Sequence, residues 1–314
     1  MKESSASLTV VAATTLLLAA CGGGSSGSSA PLEANGSLTV QITDAPVDGV
    51  TAVTVEFTGL SVKPASGDPI DIDFATPLAI DLATLTGENT ADLITGESIP
   101  AGAYEWVRLN VNADCDAVID SYVDTLAGGQ VELSLTDTTG LQISDSFTVN
   151  ADQTTSLVID WDLRRSLVAP SINACYQLLP TLRVVDRSGY GVIQGTVASA
   201  LVEGALCTSD PNSLAGNVVY VYEGANVTPD DIDGNDPDPV TTANVVLDIN
   251  NTVYSYTAAF LEPGDYTVAF TCNGLDDRVL DPSMPSLTVE DDVRFSAPKN
   301  VTVTAGAITE MDMD

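Results

Sequence analysis

The densest group of side chains able to do chemistry is Pro229-Asp230-Asp231-Ile232-Asp233-Gly234-Asn235-Asp236-Pro237-Asp238-Pro239. Carboxylates at alternate positions of a tight loop suit a hard cation such as calcium, which takes about six to eight oxygen ligands. Asp231, Asp233 and Asn235 have that spacing, and Asp236 and Asp238 add donors. An EF-hand pattern fails here, because Asp236 stands in place of the glycine and Thr242 in place of the bidentate glutamate. The competing reading is a solvated acidic loop rich in turn formers. A second concentration is Asp160-Trp161-Asp162-Leu163-Arg164-Arg165. As a binding groove, with Asp162 among its residues, it would use Trp161 for stacking and Arg164 for a carboxylate or a sugar hydroxyl. The same residues also read as a core tryptophan with ion pairs at a strand end. Asp44, beside Pro46, reads as a cap on its own turn.

Charge and composition narrow the chemistry further. The chain carries 44 acidic and 10 basic residues, a formal charge of -34, and no histidine. Such a field repels nucleic acid and anionic membrane surfaces and attracts cations. Without histidine, serine–histidine and cysteine–histidine catalysis are excluded, and so is the commonest transition-metal ligand. Hydrolysis by a carboxylate pair stays open. It requires two acids about 5–10 Å apart in a cleft lined by aromatics, and Trp106 and Trp161 are the two tryptophans of the chain. The balance favours a non-enzymatic role.

An apolar run from Leu8 to Ala20 lies behind Lys2 and ends in Leu18-Ala19-Ala20-Cys21, followed by Gly22-Gly23-Gly24-Ser25-Ser26-Gly27-Ser28-Ser29. The run has the length of a secretory signal core and is short of the roughly 20 residues of a membrane span. The four residues before the Gly/Ser stretch resemble the lipobox of bacterial lipoproteins. That resemblance implies cleavage before Cys21 and acylation, palmitate included, of its thiol and new amino group. Two or three chains anchor stably where one would be marginal. Gly22, standing where retained inner-membrane lipoproteins carry Asp, points by the same resemblance to the outer membrane of a Gram-negative cell. With Cys21 lipidated, Cys115, Cys175, Cys207 and Cys272 remain, and four cysteines allow three connectivities. The pairing that respects a division of the chain into halves is Cys115–Cys175 with Cys207–Cys272. An exported protein meets an oxidising compartment, and closing loops of about 60 residues would each remove roughly 4 kcal/mol of unfolded-state freedom.

The elements that must position these groups are strands. Aromatics are 5% of the chain and apolar residues 44%, with Thr and Val abundant and helical spacing scarce. Ser37–Thr43 alternates apolar and polar residues, and Ala52–Val62 continues the pattern with a bend near Gly59. Ile70–Phe74, Leu78–Leu82, Tyr104–Val111, Gln130–Leu135, Phe147–Val149, Ser156–Trp161 and Tyr176–Val185 follow. Thr90–Ile94 is read as one helical turn. The count and the turn signals are those of a sandwich or barrel.

Several of these stretches resemble the family known as domain of unknown function 4382. They are Ser37–Val40 through Thr43–Pro46, the Ile99-Pro100-Ala101-Gly102-Ala103-Tyr104 turn, Ile159–Asp162 with Ser166, and Tyr176 through Leu182-Arg183-Val184. The resemblance covers about residues 36–188 and implies a lipid-anchored envelope protein without an established activity. The second half contains Tyr190–Val197, Gly216–Tyr222, Val253–Tyr256, Leu261–Phe270 and Lys299–Gly306. It resembles the transthyretin-like sandwich of carboxypeptidase regulatory domains and adhesin stalks. In such sandwiches a Pro-Gly-Asp-Tyr turn, here Pro263–Tyr266, folds its tyrosine back on the preceding backbone.

The expectation is therefore an all-β chain of two consecutive β-sandwich domains. Residues 1–20 are the signal, 21–35 the tether, 36–188 the first domain and 189–314 the second. The function expected is a lipid-anchored envelope module that binds a protein or glycan or serves structure, with no cofactor other than calcium. The alternatives are a carboxylate-dependent polysaccharide hydrolase and a calcium-binding adhesin-like stalk.

Overall fold

The first strand shows how the alternation is used. β1 (Asn35–Ala45) buries Leu38, Val40 and Ile42 completely while Ser37, Thr39 and Gln41 are half-exposed, the period-2 signature of a strand with one covered face. The computed structural model describes residues 34–45, 47–135, 141–170, 175–179, 181–204, 207, 214–248, 250, 252–277 and 293–314.

The first half continues with β2 (Val50–Pro64), β3 (Ile70–Asp81), β4 (Ala91–Pro100), β5 (Gly102–Asn112) and β6 (Tyr122–Thr125). Then come β7 (Gln130–Leu135), β8 (Leu141–Ile143), β9 (Phe147–Val149) and β10 (Thr154–Asp162). A four-residue helix, α1 (Leu163–Ser166), precedes β11 (Leu167–Val168), β12 (Tyr176–Leu178) and β13 (Leu182–Asp186). One sheet has the order β13-β10-β1-β4, with β1 and β10 parallel. A nine-stranded sheet is built around β2, which pairs with β3, β5 and β6. The two sheets share a core in which Leu38, Ile42, Ile159 and Trp161 pack with Val55, Phe57, Leu60 and Leu109.

The second half comprises β14 (Gly191–Val197), the short helix α2 (Ser199–Val202), β15 (Val218–Glu223), β16 (Thr241–Asn244) and β17 (Val246–Asp248). It ends with β18 (Val253–Leu261), β19 (Gly264–Thr271), β20 (Lys299–Val303) and β21 (Ile308–Glu310). Two four-stranded sheets, β17-β18-β14-β21 and β16-β15-β19-β20, enclose a core of Ile193, Val219, Val221, Leu261, Val268 and Phe270. The chain is thus all-β, in paired sheets. Among the described residues no helix is long and apolar enough to cross a membrane.

Ala34–Asp314 forms one compact unit, and β10 is where its halves meet. Its odd residues Leu157, Ile159 and Trp161 enter the first core. Val158, on the opposite face, packs with Val185, Val192, Ala259 and Phe260. A strand covered on both faces loses its alternation, which is why residues 157–162 are all buried.

Thr90–Ile94 is not the expected helical turn. It opens β4, which pairs antiparallel with β1 through register shifts at Leu38/Val40 and Val40/Gln41. The free edge of β1 needs a hydrogen-bonding partner, and that tertiary demand overrides a weak local propensity.

Both tyrosine turns close as the sequence indicates. Tyr104 Oη donates to Pro100 O at 2.7 Å and Tyr266 Oη to Glu262 O at 2.8 Å. Replacing either hydroxyl strands a carbonyl, so Tyr104→Phe and Tyr266→Phe are each expected to lower stability by about 1 kcal/mol. The effect should appear as a lower urea midpoint at constant slope, and an unchanged midpoint would remove the corner from the stabilising contacts.

Candidate functional site

The end of β10 delivers Asp160, Trp161 and Asp162 to the junction between the halves. The Trp161 ring is fully buried, 6.4 Å from Phe57 in an edge-to-face arrangement. Asp162 and Arg164 are 5% and 6% exposed. These three residues therefore do not form a ligand groove. The physical reason is coverage of β10 from both sides, which turns the aromatic into core and the charges into ties between the halves.

The ties are specific. Asp162 Oδ1 accepts the Arg165 backbone N–H at 3.1 Å and caps α1, turning Arg164 and Arg165 outward from β10. Arg164 Nη2 reaches Asp48 Oδ2 at 2.6 Å and Asn244 Oδ1 at 3.0 Å, and Nη1 reaches Gly274 O at 3.0 Å. Arg165 Nη2 bonds Asp238 Oδ2 at 2.9 Å. Arg183 bonds Asp160 Oδ2 at 2.5 Å and Phe260 O at 2.6 Å. Each of these arginines fastens an element of the first half to the second. Asp44 does not cap its own turn as expected. Its Oδ1 accepts the Leu163 N–H at 3.0 Å, because the parallel register sets it beside Trp161, two residues from that donor.

Burial governs the ionisation here. Desolvation raises the Asp162 carboxyl to about 7, with Asp160 adding to the rise and Arg165 opposing it. Asp44 is driven well above the ordinary carboxylate range for the same first reason. Burial works against the Arg164 charge, but Tyr220, Asp48 and Asp277 outweigh it and hold the guanidinium protonated.

The acidic loop 229–239 is a strap on the outer face of β15. Ile232 is buried with Val218, Tyr220 and Tyr222, and its N–H donates to Asp277 Oδ1 at 3.1 Å. Asp233 Oδ1 accepts from Asn235 N at 2.8 Å, Asp238 Oδ1 from Gly234 N at 3.3 Å, and Asp238 Oδ2 from Arg165. Asp230 Oδ1 accepts from Asp231 N at 3.2 Å, and Asp236 is exposed. The carboxylates of Asp230, Asp233 and Asp238 thus serve the loop's own backbone and an ion pair. Among the described residues, three acidic or sulfur ligand atoms within 4.8 Å occur at Cys115, Glu132 and Cys175, and not in this loop.

The cysteines pair as Cys115–Cys175 and Cys207–Cys272, with Cα separations of 6.0 and 5.3 Å. Cys21 lies outside the described residues.

A cleft among the described residues lies elsewhere, along β13. It is about 1050 Å³ in volume and runs between Ser144–Thr148 and Arg183–Asp186 of the first half and Glu223, Val240 and Glu262–Tyr266 of the second. Five exposed acids, Asp145, Asp186, Glu223, Glu262 and Asp265, line it with Phe147 and Tyr266. Phe147 stacks on Tyr104 at 5.0 Å, so the two tyrosine turns frame opposite walls. Three of the acids already serve structure. Asp145 accepts Val184 N at 3.1 Å, Asp186 accepts Ser188 N at 2.8 Å, and Asp265 accepts the Thr302 hydroxyl at 2.7 Å. Sequence reasoning missed this cleft because its walls are about 40 to 120 residues apart and nothing in either stretch points to the other. The recurring Tyr turn was the signal available.

Fold and cleft together define an all-β protein of paired sheets, bridged by two disulfides, with an acidic cleft at the junction of its halves. Residues 35–180 match the family described as Domain of unknown function (DUF4382). No curated protein matches the chain. Among solved structures, a leucine-rich repeat protein from Bacteroides thetaiotaomicron is similar at 11% identity and TM-score 0.22, over 89% of this chain and 26% of that one. The Bacillus anthracis TIE protein is similar at 13% identity and TM-score 0.18, over 89% and 34%. The minor pilin of Streptococcus agalactiae is similar at 10% identity and TM-score 0.18, over 88% and 94%. The chain thus spans about a quarter and a third of the first two.

Proposed function

We propose that this protein is a lipid-anchored, non-enzymatic module of the cell envelope that holds a protein or glycan ligand in the cleft between its halves. The observation that carries the reading is the cleft itself, large, polar and framed by two rigid turns. Three of its five acids are committed to backbone and hydroxyl donors, which favours binding over the carboxylate-pair hydrolase. The second half serves in this reading as a transthyretin-like wall of the cleft.

Titration calorimetry with neutral oligosaccharides and with a lysine-rich peptide tests the cleft. Binding of either probe, lost in the Glu223→Arg/Glu262→Arg double variant, supports the reading; heat from neither probe sinks it. The anchor has its own test. Wild-type chain should take up a palmitate label and sediment with membranes, while Cys21→Ser should lose both properties. A wild-type chain that carries no label would remove the lipid from the proposal.

A further inference from the structure

At the junction of the halves lies a second and much smaller cavity of about 10 Å³, room for a single water-sized occupant. Thr43, Asp44 and Asp160 line it from the first half, and Thr241, Thr242 and Thr257 from the second. The polar side chains are oxygen donors throughout, two carboxylates and four hydroxyls, which is the donor set of hard cations. Asp44 and Thr242 are 4% and 2% exposed, and Asp44 Oδ2 and Thr242 Oγ1 are buried without a hydrogen-bond partner. Buried polar atoms are nearly always satisfied, so two orphans lining one cavity call for an occupant.

Charge distinguishes an ion from a water. Arg164, Arg165 and Arg183 are matched one to one by Asp48, Asp238 and Asp160. Asp44 and Asp162 form no ion pair among the described residues, and Asp44 sits opposite Trp161 in the register, flanked by Asp160 and Asp162 on the neighbouring strand. Buried carboxylate charge without a partner is costly, and a bound cation offsets it where a water does not.

We propose that this cavity binds one small hard cation, coordinated by Asp44 Oδ2 and Thr242 Oγ1, so that the ion joins β1 of the first half to β16 of the second. The site is separate from loop 229–239 and from the acids of the cleft, and it stands whether or not the cleft binds a ligand.

The test is thermal unfolding of the full chain in chloride salts of sodium, magnesium and calcium, each against choline chloride at equal ionic strength. One cation at a hundredfold excess over its Kd should raise Tm by about 5 °C. The rise should vanish in Asp44→Asn and in Thr242→Val. Thr242→Val loses only a hydroxyl and keeps the side-chain shape, so it remains informative if Asp44→Asn does not fold. Absence of any rise over choline overturns the proposal and leaves a water in the cavity. A rise of equal size in wild type and Thr242→Val also overturns it, placing the cations on the acidic surface.

Discussion

Arg164→Ala should cost about 3–5 kcal/mol of unfolding free energy, more than any single exposed substitution in the chain. The side chain is 4% exposed and its partner Asp48 12%, so truncation leaves a nearly dry carboxylate without its counter-charge. It also strands Gly274 O and Asn244 Oδ1, both in the second half. Asp48 Oδ2 accepts Gly216 N at 3.2 Å as well, so the loss reaches a further segment of that half. Arg164→Lys keeps the charge but replaces a planar fork with a point donor, and should recover only part of the loss. Urea unfolding at neutral pH measures both. Because the arginine joins the halves, Arg164→Ala should also split one transition into two. A single transition with a midpoint close to wild type would show that the packing of Val158 and Phe260, with the Arg165 and Arg183 ties, couples the halves without Arg164.

The second large effect is a dependence on pH that runs against acid denaturation. Asp162 titrates near 7 in the folded protein and near 4 when unfolded, since burial disfavours its charge. The folded state therefore holds a proton that the unfolded state has released between those values. The contribution of this residue to stability is fully present below about pH 4, declines as pH rises through about 7, and is then level, with a span of about 4 kcal/mol. Asp44 acts in the same direction. The groups facing Asp162 are Asp160, Asp44, Arg164 and Arg165, the last shared with Asp238. Other carboxylates impose their own pH dependence, so the quantity to follow is the difference between wild type and Asp162→Asn in chelator and choline. That difference should shift by several kcal/mol toward the variant between pH 4 and pH 8. Parallel profiles would show that Asp162 keeps its charge in the fold.

What the sequence revealed follows from how local each feature is. Alternation in Ser37–Thr43 and the Tyr turns at 104 and 266 are read from neighbours, and the structure has them. The cysteine pairing rests on the halves folding separately enough to close their own loops, which the sheets reflect. The segment Asp160–Arg165 misleads because an aromatic flanked by charges looks the same at a groove and at a buried junction. Only knowledge that Ala259 and Phe260 cover the far side of β10 separates the two. β4 was hidden because its pairing with β1 is broken by shifts, and β6, β8, β16, β17 and β21 because three or four residues give no period.

The dual coverage of β10 bears on how the chain can be divided. The family match stops at residue 180, while β13, the hydrogen-bonded neighbour of β10, begins at Leu182. A recombinant fragment cut to the catalogued boundary would bare the ladder edge of β10 from Leu157 to Trp161 and, with the second half gone, the apolar flank at Val158. An unpaired edge beside an apolar face is a template for self-association. The segment that is recognised as a unit of inheritance is thus smaller than the segment that is self-sufficient in water.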